Sequence, residues 1–373
     1  MKVAYLFGSL NRGGTETLFL DVFRNADKAS YPFIGIHRKG GAYTDDFYAA
    51  GPKMIHCAPK RFGYIRYILQ IRRILCAEGV TIAHAQHWLD GLYAYLATIG
   101  TKTKVAQTLH GYFPQSGIVG KLCRLAIRLA DEVCFVSQYE QEWYQKQMYI
   151  PDSKCHVVFN GVDFSKFDVT SEGMNEKIVR DEARKELTSE RGIRLCMVGN
   201  FVAVRDHITL FRAMQLLNKR GINDFDIYFI GKRVEEQGKI YDTCEQIVKE
   251  NKLTNVHFMG GRGDVPELLR SMDGFVYSTD HDTFGIAVVE AMAAGLPVVV
   301  NDYAVMKEVC GDMVAYYKSK DVEDCANAIE ELLAELPQRK AAAKKNADIV
   351  RNKYSIESYI ETLAKIYENS SNR

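Results

Sequence analysis

Short runs of β-branched and aromatic residues alternate with longer stretches of helical period along nearly the whole chain. That alternation is the signature of parallel α/β sheets. In the first half the runs predict strands at 3–7, 33–36, 54–56, 81–84, 104–109, 132–136 and 156–158, with helices at 15–25, 64–78, 89–99, 119–130 and 139–147 between them. A second series of strands restarts at 194–198 and continues at 226–230, 255–259, 274–277 and 297–300. Its helices are predicted at 208–219, 235–250, 284–293 and 326–336, the last stopped by Pro337. A charged, strand-poor stretch separates the two series. The organisation predicted is an α/β chain of two Rossmann-like domains with parallel sheets facing a cleft. The first covers 1–165, a linker covers 166–191, and the second domain covers 192–353. An amphipathic segment within 354–373 closes the chain.

Composition narrows the class. The 373 residues suffice for two domains with separate cores, and 47% hydrophobic with 25% charged residues is ordinary for a soluble globular protein. Nine scattered cysteines without a Cys-x-x-Cys pair favour reduced thiols in a cytoplasmic protein. Lys2 followed by the short run 3–7 is too little for a secretory leader, and no segment reaches eighteen uncharged apolar residues. The expectation is a protein that is at most peripheral to a membrane. The net charge of +1 hides an asymmetry: residues 1–165 hold 19 Lys and Arg against 13 Asp and Glu, and the remainder holds 29 against 34. Two halves of opposite sign fit two units with different partners.

The chemistry concentrates in Asp282-Thr283-Phe284-Gly285-Ile286 and the apolar segment after it, which carries a single acid, Glu290, and ends at Gly295-Leu296-Pro297. This reads as a loop feeding a helix N-terminus, where the backbone N–H groups of Phe284, Gly285 and Ile286 meet an anion and the flanking carboxylates take hydroxyls. A nucleotide-sugar has that form. Asp282 reads equally as a plain N-cap, and Glu290, costly among apolar neighbours unless paired, reads either as a ribose contact or as half of a structural ion pair. The strand at 194–198 runs into Gly199-Asn200, and a cation, Arg205, arrives before the next helix; it is a phosphate ligand or a solvated surface arginine. After the first strand, Gly13-Gly14 precede Thr15-Glu16 at a helix start; adjacent glycines there permit positive φ and close approach to a ligand, or simply make a tight turn. The loop is not the G-x-G-x-x-G of dinucleotide enzymes. Glycine-containing strand ends near Lys232 and Arg262 suit nucleobase contacts. His84, His87 and His110 stand at strand ends on the basic half, each an ordinary hydrogen-bonded histidine when taken singly. No Asp-x-Asp or helical His pair indicates a metal.

The 282–299 segment resembles the signature of retaining family-four glycosyltransferases of GT-B architecture, in which two Glu are separated by seven positions. Here the second acid is Glu290, while Asp282 stands where Glu is usual. Family members usually carry Arg at the position of Asn200 and Lys at that of Arg205, and Gly13-Gly14 with Glu16 is similar to the family's first loop beside the donor diphosphate. The resemblance implies a metal-independent hexosyl transfer, without a cofactor, from a UDP-sugar or GDP-sugar to a glycan or lipid-linked hydroxyl, with retention. It sets Arg205 on the diphosphate, Asp282 on the hexose, Glu290 on the ribose and His110 near the reacting centre, and it implies a C-terminal segment returning to the first domain; Glu16 and His84, in the first half, are expected on the acceptor side. Bacterial surface-polysaccharide assembly is the setting by analogy. A sugar-nucleotide epimerase and a catalytically silent nucleotide-sugar-binding partner are the rival readings. Cations and aromatics on the helical segment from Lys60 to Arg73, with Lys121, Arg124 and Arg128 on a second helix, are either an anionic-membrane contact or solvated faces. Nucleic acid is disfavoured by the near-zero net charge.

Overall fold

The computed structural model describes residues 1–60, 63–114, 116–168, 187 and 191–372. The chain divides into two compact units: Met1–Asp163 together with Tyr354–Arg373, and Phe164–Lys353. Most of the stretch expected as a linker lies outside the described residues.

In the first unit seven parallel strands take the order β3-β2-β1-β4-β5-β6-β7. They are β1 (Val3–Phe7), β2 (Phe33–His37), β3 (Met54–His56), β4 (Ile82–Ala85), β5 (Lys104–Leu109), β6 (Glu132–Phe135) and β7 (Cys155–Val157). The helices are α1 (Gly14–Arg24), α2 (Thr44–Ala49), α3 (Tyr64–Ala77), α4 (Trp88–Thr98), α5 (Gly117–Leu129) and α6 (Gln138–Gln147). β1 is buried along its whole length and pairs in register with both neighbours, Val3 lying opposite Phe33 and Ile82. Because successive side chains alternate in a strand, Val3, Tyr5 and Phe7 enter one core, and Ala4 and Leu6 enter the other. Tyr67, Ile71 and Leu75, at helical spacing on α3, cover the second core together with Cys123 and Ile127 of α5. Phe19 and Phe23 of α1 cover the first, and the chain's last helix joins them there through Tyr359, Leu363 and Tyr367. That helix is tied on by backbone bonds from Val162 to Tyr354 (2.8 Å) and from Ile356 to Val162 (3.0 Å).

The second unit holds six parallel strands in the order β10-β9-β8-β11-β12-β13: β8 (Ile193–Val198), β9 (Phe225–Ile230), β10 (Val256–Gly260), β11 (Gly274–Tyr277), β12 (Val298–Asn301) and β13 (Ala315–Tyr317). Its helices are α7 (His207–Lys219), α8 (Gly238–Glu250), α9 (Val265–Ser271), α10 (Ile286–Ala293), α11 (Ala304–Cys310), α12 (Val322–Ala334) and α13 (Leu336–Tyr354); α14 (Ile356–Ser371) is the segment packed in the first unit.

Several expectations are corrected here. The short elements β13, α2, α9 and α11 carry too few residues to show a period. Pro337 does not stop a helix; it stands in the first turn of α13, where its missing N–H has no intrahelical partner to lose. α12 begins earlier than expected because Asp321 caps it, accepting from the N–H groups of Glu323 (3.1 Å) and Asp324 (3.0 Å). α10 begins two residues late, at Ile286, because Gly285 has φ +86° and cannot continue a right-handed turn backwards to Phe284.

Candidate active site

Open parallel sheets bind ligands beyond the carboxyl ends of their strands, where the order reverses. In the second unit that point lies between β8 and β11. The chain leaves β8 through Gly199, whose N–H bonds the Ile230 carbonyl (2.9 Å), while the Asn200 side-chain oxygen accepts from the Lys232 N–H (2.9 Å) and Phe201 bonds the Lys232 carbonyl (3.0 Å). A Cβ on Gly231 would lie 1.9 Å from the Gly199 carbonyl oxygen, so only glycine lets the two loops meet this closely. Lys232 is exposed, its stem lying over Gly261, where an added Cβ would come within 2.4 Å of the lysine Cγ.

The stretch after Asn200 is bracketed to the loop after β11. Arg205 bridges to Thr279, the Thr279 hydroxyl donates to the Val204 carbonyl (2.9 Å), and Asp280 N–H bonds the same carbonyl (2.9 Å). Asn301 of β12 holds Thr279 from the other side (2.9 and 2.8 Å), and Lys320 joins Asp280 to Asp206. Within this frame the Arg205 guanidinium meets the Asp282 carboxylate and the Tyr277 hydroxyl and lies over the Tyr277 ring at 5.1 Å. Tyr277 donates to Asp282 Oδ2 at 2.8 Å. Asp282 Oδ1 accepts from the Thr283 (2.9 Å) and Phe284 (3.3 Å) N–H groups.

The Phe284 amide, expected to meet an anion, therefore faces a carboxylate of its own chain. Among the described residues no acceptor meets the N–H groups of Gly285, Ile286 and Ala287, and α10 has no acid in its first turn. A Cβ on Gly285 would also come 2.7 Å from Met306 Cε. Glu290, the fifth residue of α10, is half-buried and nearer the helix start than the sequence implied. His207, the first residue of α7, is buried and stacked on Phe201 (4.1 Å between rings); burial, with the Arg205 charge second, pushes its pKa down to about 4.

In the first unit a cavity of about 670 Å³ opens at the corresponding strand ends. The loops after β1, β2, β4 and β5 and the start of α1 line it. His110 lines it, and its Nε2–H donates to Gln86 Oε1 (3.0 Å); burial holds its pKa near 3, so the ring is neutral at any physiological pH. His87 caps α4, accepting from the Leu89 N–H (3.3 Å), and burial lowers its pKa as well. Arg38 is gripped by the buried Asp90 carboxylate through two bonds (2.6 and 3.2 Å). Glu16 lines the cavity with its pKa raised by burial.

Two features singled out by the sequence sit otherwise than expected. Neither Gly13 nor Gly14 takes a positive φ; Gly13 is extended (φ −158°), and a Cβ there would come 2.6 Å from Glu16 Oε2. His84, expected on the acceptor side, does not line this cavity. It is fully buried, bonded through Nε2 to Thr108 (2.7 Å) and through Nδ1 to Tyr367 of α14, and burial holds its pKa near 3. The basic stripes are also thinner than their sequence. Arg72 spends its guanidinium on the carbonyls of Ala97 (3.1 Å) and Ile99 (2.6 Å), and Arg124 leans on the Phe113 ring at 5.8 Å. Arg61 and Phe62 lie outside the described residues.

The model of the family described as glycosyl transferases group 1 matches residues 179–370, and that of Glycosyltransferase Family 4 matches residues 12–166. The chain belongs to the glycosyl transferases group 1 family. Among relatives of this glycosyltransferase, the putative glycosyltransferase EpsF of Bacillus subtilis is 23% identical over 315 residues, 81% of this chain and 79% of EpsF. An Escherichia coli UDP-Gal:alpha-D-GlcNAc-diphosphoundecaprenol alpha-1,3-galactosyltransferase is 21% identical over 283 residues, 71% of this chain and 69% of that protein. The crystal structure of Anabaena HepE in complex with UDP and glucose superposes with a TM-score of 0.84 at 17% identity, covering 99% of each chain. The fold of the glycosyltransferase is thus GT-B, each domain built on its own parallel sheet.

Side chains that sequence reasoning passed over also stand at these strand ends. Tyr277 ends a β-branched strand and reads as core. Gln86, between two histidines, carries no motif. Arg38 and Asp90 are 52 positions apart, and nothing local signals their pairing.

Proposed function

We propose that this glycosyltransferase moves a hexosyl group from a UDP- or GDP-sugar to a hydroxyl of a glycan or lipid-linked glycan, with retention at the anomeric carbon and without a metal ion, in bacterial surface-polysaccharide assembly. One observation carries the reading: in the second unit a cation, Arg205, is built into the same loop frame that ends in the unclaimed amides of α10. Charge developing on a departing diphosphate is stabilised by such preorganised donors, and a helix N-terminus binds anions through its N–H groups and dipole.

In this mechanism the acceptor oxygen bonds the anomeric carbon as the bond from that carbon to the diphosphate oxygen breaks, on the same face. The acceptor proton passes to the departing phosphate oxygen, so no carboxylate base is needed. Arg205 and the amides of Gly285 and Ile286 take the diphosphate charge. Gly199, Asn200 and Lys232 complete the donor contacts of the second unit, and Glu290 accepts from the ribose hydroxyls. His110, neutral and held by Gln86, orients the acceptor beside Glu16. The UDP and glucose bound to HepE, and the diphosphoundecaprenol acceptor named for the E. coli relative, support this substrate class.

A peripheral contact with an anionic membrane surface belongs to the same reading. α3 and α5 expose Ile65, Leu69, Ile118 and Leu125 beside Arg66, Arg73, Lys121 and Arg128, a mixture of apolar and cationic side chains suited to headgroups. Among the described residues no helix is long and apolar enough to cross a membrane.

A thermal-shift panel of UDP and GDP sugars tests the donor, since a ligand binding only the folded state raises its stability. Selective stabilisation by one sugar nucleotide, lost in Glu290→Ala, is expected; no stabilisation by any of them rejects the reading. The anomeric configuration of the isolated product decides retention, and activity in excess EDTA decides the metal. Pelleting with phosphatidylglycerol but not phosphatidylcholine vesicles is expected for the membrane contact.

A further inference from the structure

The carboxylate of Asp282 is fully occupied within its own unit. A carboxylate offers about four acceptor positions. Oδ1 takes the N–H groups of Thr283 and Phe284, and Oδ2 takes the Tyr277 hydroxyl and the Arg205 guanidinium. Sugar hydroxyls reach a carboxylate as donors, and four donors of the protein are already there. Being one methylene shorter than Glu, Asp keeps its oxygens against the backbone of its own turn.

Tyr277 makes this arrangement rigid. It is buried at the end of β11, its carbonyl accepts from the Tyr317 hydroxyl (3.1 Å), and its ring lies parallel to Phe275 (6.0 Å, 19°). A post fixed in this way offers the guanidinium a ring face and a hydroxyl, while the same hydroxyl donates to the carboxylate that neutralises it.

We propose that Tyr277 is a positioning residue, which together with Asp282 fixes the Arg205 guanidinium at the head of α10, and that Asp282 serves the cation and not the hexose. This deepens the donor-site reading and rests on it: the guanidinium so held is the one that meets the diphosphate. A cation prealigned by two partners loses little freedom when phosphate arrives, which is where preorganisation gains affinity.

The test is calorimetric titration of the whole chain with UDP, GDP, UDP-glucose and GDP-mannose, for the wild type, Tyr277→Phe, Asp282→Asn, Arg205→Ala and the double variants. On whichever nucleotide the wild type binds, Tyr277→Phe and Asp282→Asn are each expected to weaken the nucleoside diphosphate and its sugar conjugate by the same factor, about tenfold. Neither is expected to weaken binding further in an Arg205→Ala background. Weakening of the conjugate alone in Asp282→Asn would return that residue to the hexose and overturn the proposal. Wild-type affinities in Tyr277→Phe would overturn the role of the tyrosine. A ligand-free readout separates failure of the donor reading from failure of this one. The Arg205 side-chain N–H resonance, assigned by its loss in Arg205→Ala, is expected to be protected from exchange in the wild type and to broaden in both Tyr277→Phe and Asp282→Asn. If no nucleotide binds the wild type, the donor reading falls while this resonance still decides the positioning; an unchanged resonance in both variants rejects it.

Discussion

The two units share a sheet architecture, and the two helix starts that the sequence marks with glycine, one in each unit, are built in opposite ways. In the first unit, α1 begins at an extended Gly13, and the Glu16 carboxylate of its own first turn folds back against that glycine. In the second, α10 begins at a left-handed Gly285 with no acid in its first turn, and a cation stands in the bracketed loop beside it. A helix N-terminus carries about half a positive charge; an acid in the first turn offsets it, and a bare turn leaves it for a ligand. Strand order is thus shared, and the loops decide which helix start is available to an anion.

The comparison breaks most directly at Arg205. Replacing it by Ala is expected to lower turnover by about 10²–10³-fold, the scale of losing one preorganised donor to developing charge. Glu16→Ala is expected to stay within tenfold of wild type. Equal losses from the two, in steady-state assays, would erase the distinction between the helix starts.

A backbone version of the contrast follows. Gly285→Ala places a Cβ at positive φ and against Met306, and is expected to cost about 1–3 kcal/mol in urea unfolding. Gly13→Ala meets only the movable end of Glu16 on an extended backbone and is expected to cost less.

The last contrast concerns acid. His84 and His110 in the first unit and His207 in the second are held neutral, with pKa values near 3, 3 and 4, against about 6.5 when unfolded. The unfolded chain therefore binds more protons below pH 6.5, so the stability these groups confer is full above that pH and is lost as pH falls toward 3–4. Each contributes a slope of up to about 1.4 kcal/mol per pH unit in that window. His84→Gln is expected to lower stability at pH 7 and to flatten the decline between pH 6.5 and 5, followed by urea melts. A slope identical to wild type would mean that His84 is protonated in the folded chain.

Much of the fold was legible because it is written locally. The short apolar runs of β1, β2 and β5 and the helical spacing of Tyr67, Ile71 and Leu75 are set by neighbours in sequence, and their elements lie where the pattern predicts them. Short elements such as β13 and α11 were not legible, since three to seven residues cannot display a period. The acids and cation of the candidate site were also legible, because Asp282 and Arg205 stand in glycine-containing loops after strands and Glu290 is the one acid of an apolar helix. Their partners were not.

By itself, the sequence determined two α/β halves, the family, and which loops carry charge, since propensity, period and composition act over a few residues. Tertiary structure alone decided what each charge meets. Asp282 closes on Arg205 across 77 positions, and His84 is sealed beneath Tyr367 across 283. The reason is physical: a side chain's hydrogen bonds and its pKa depend on what is packed within a few ångströms, and that is fixed only when distant segments fold together.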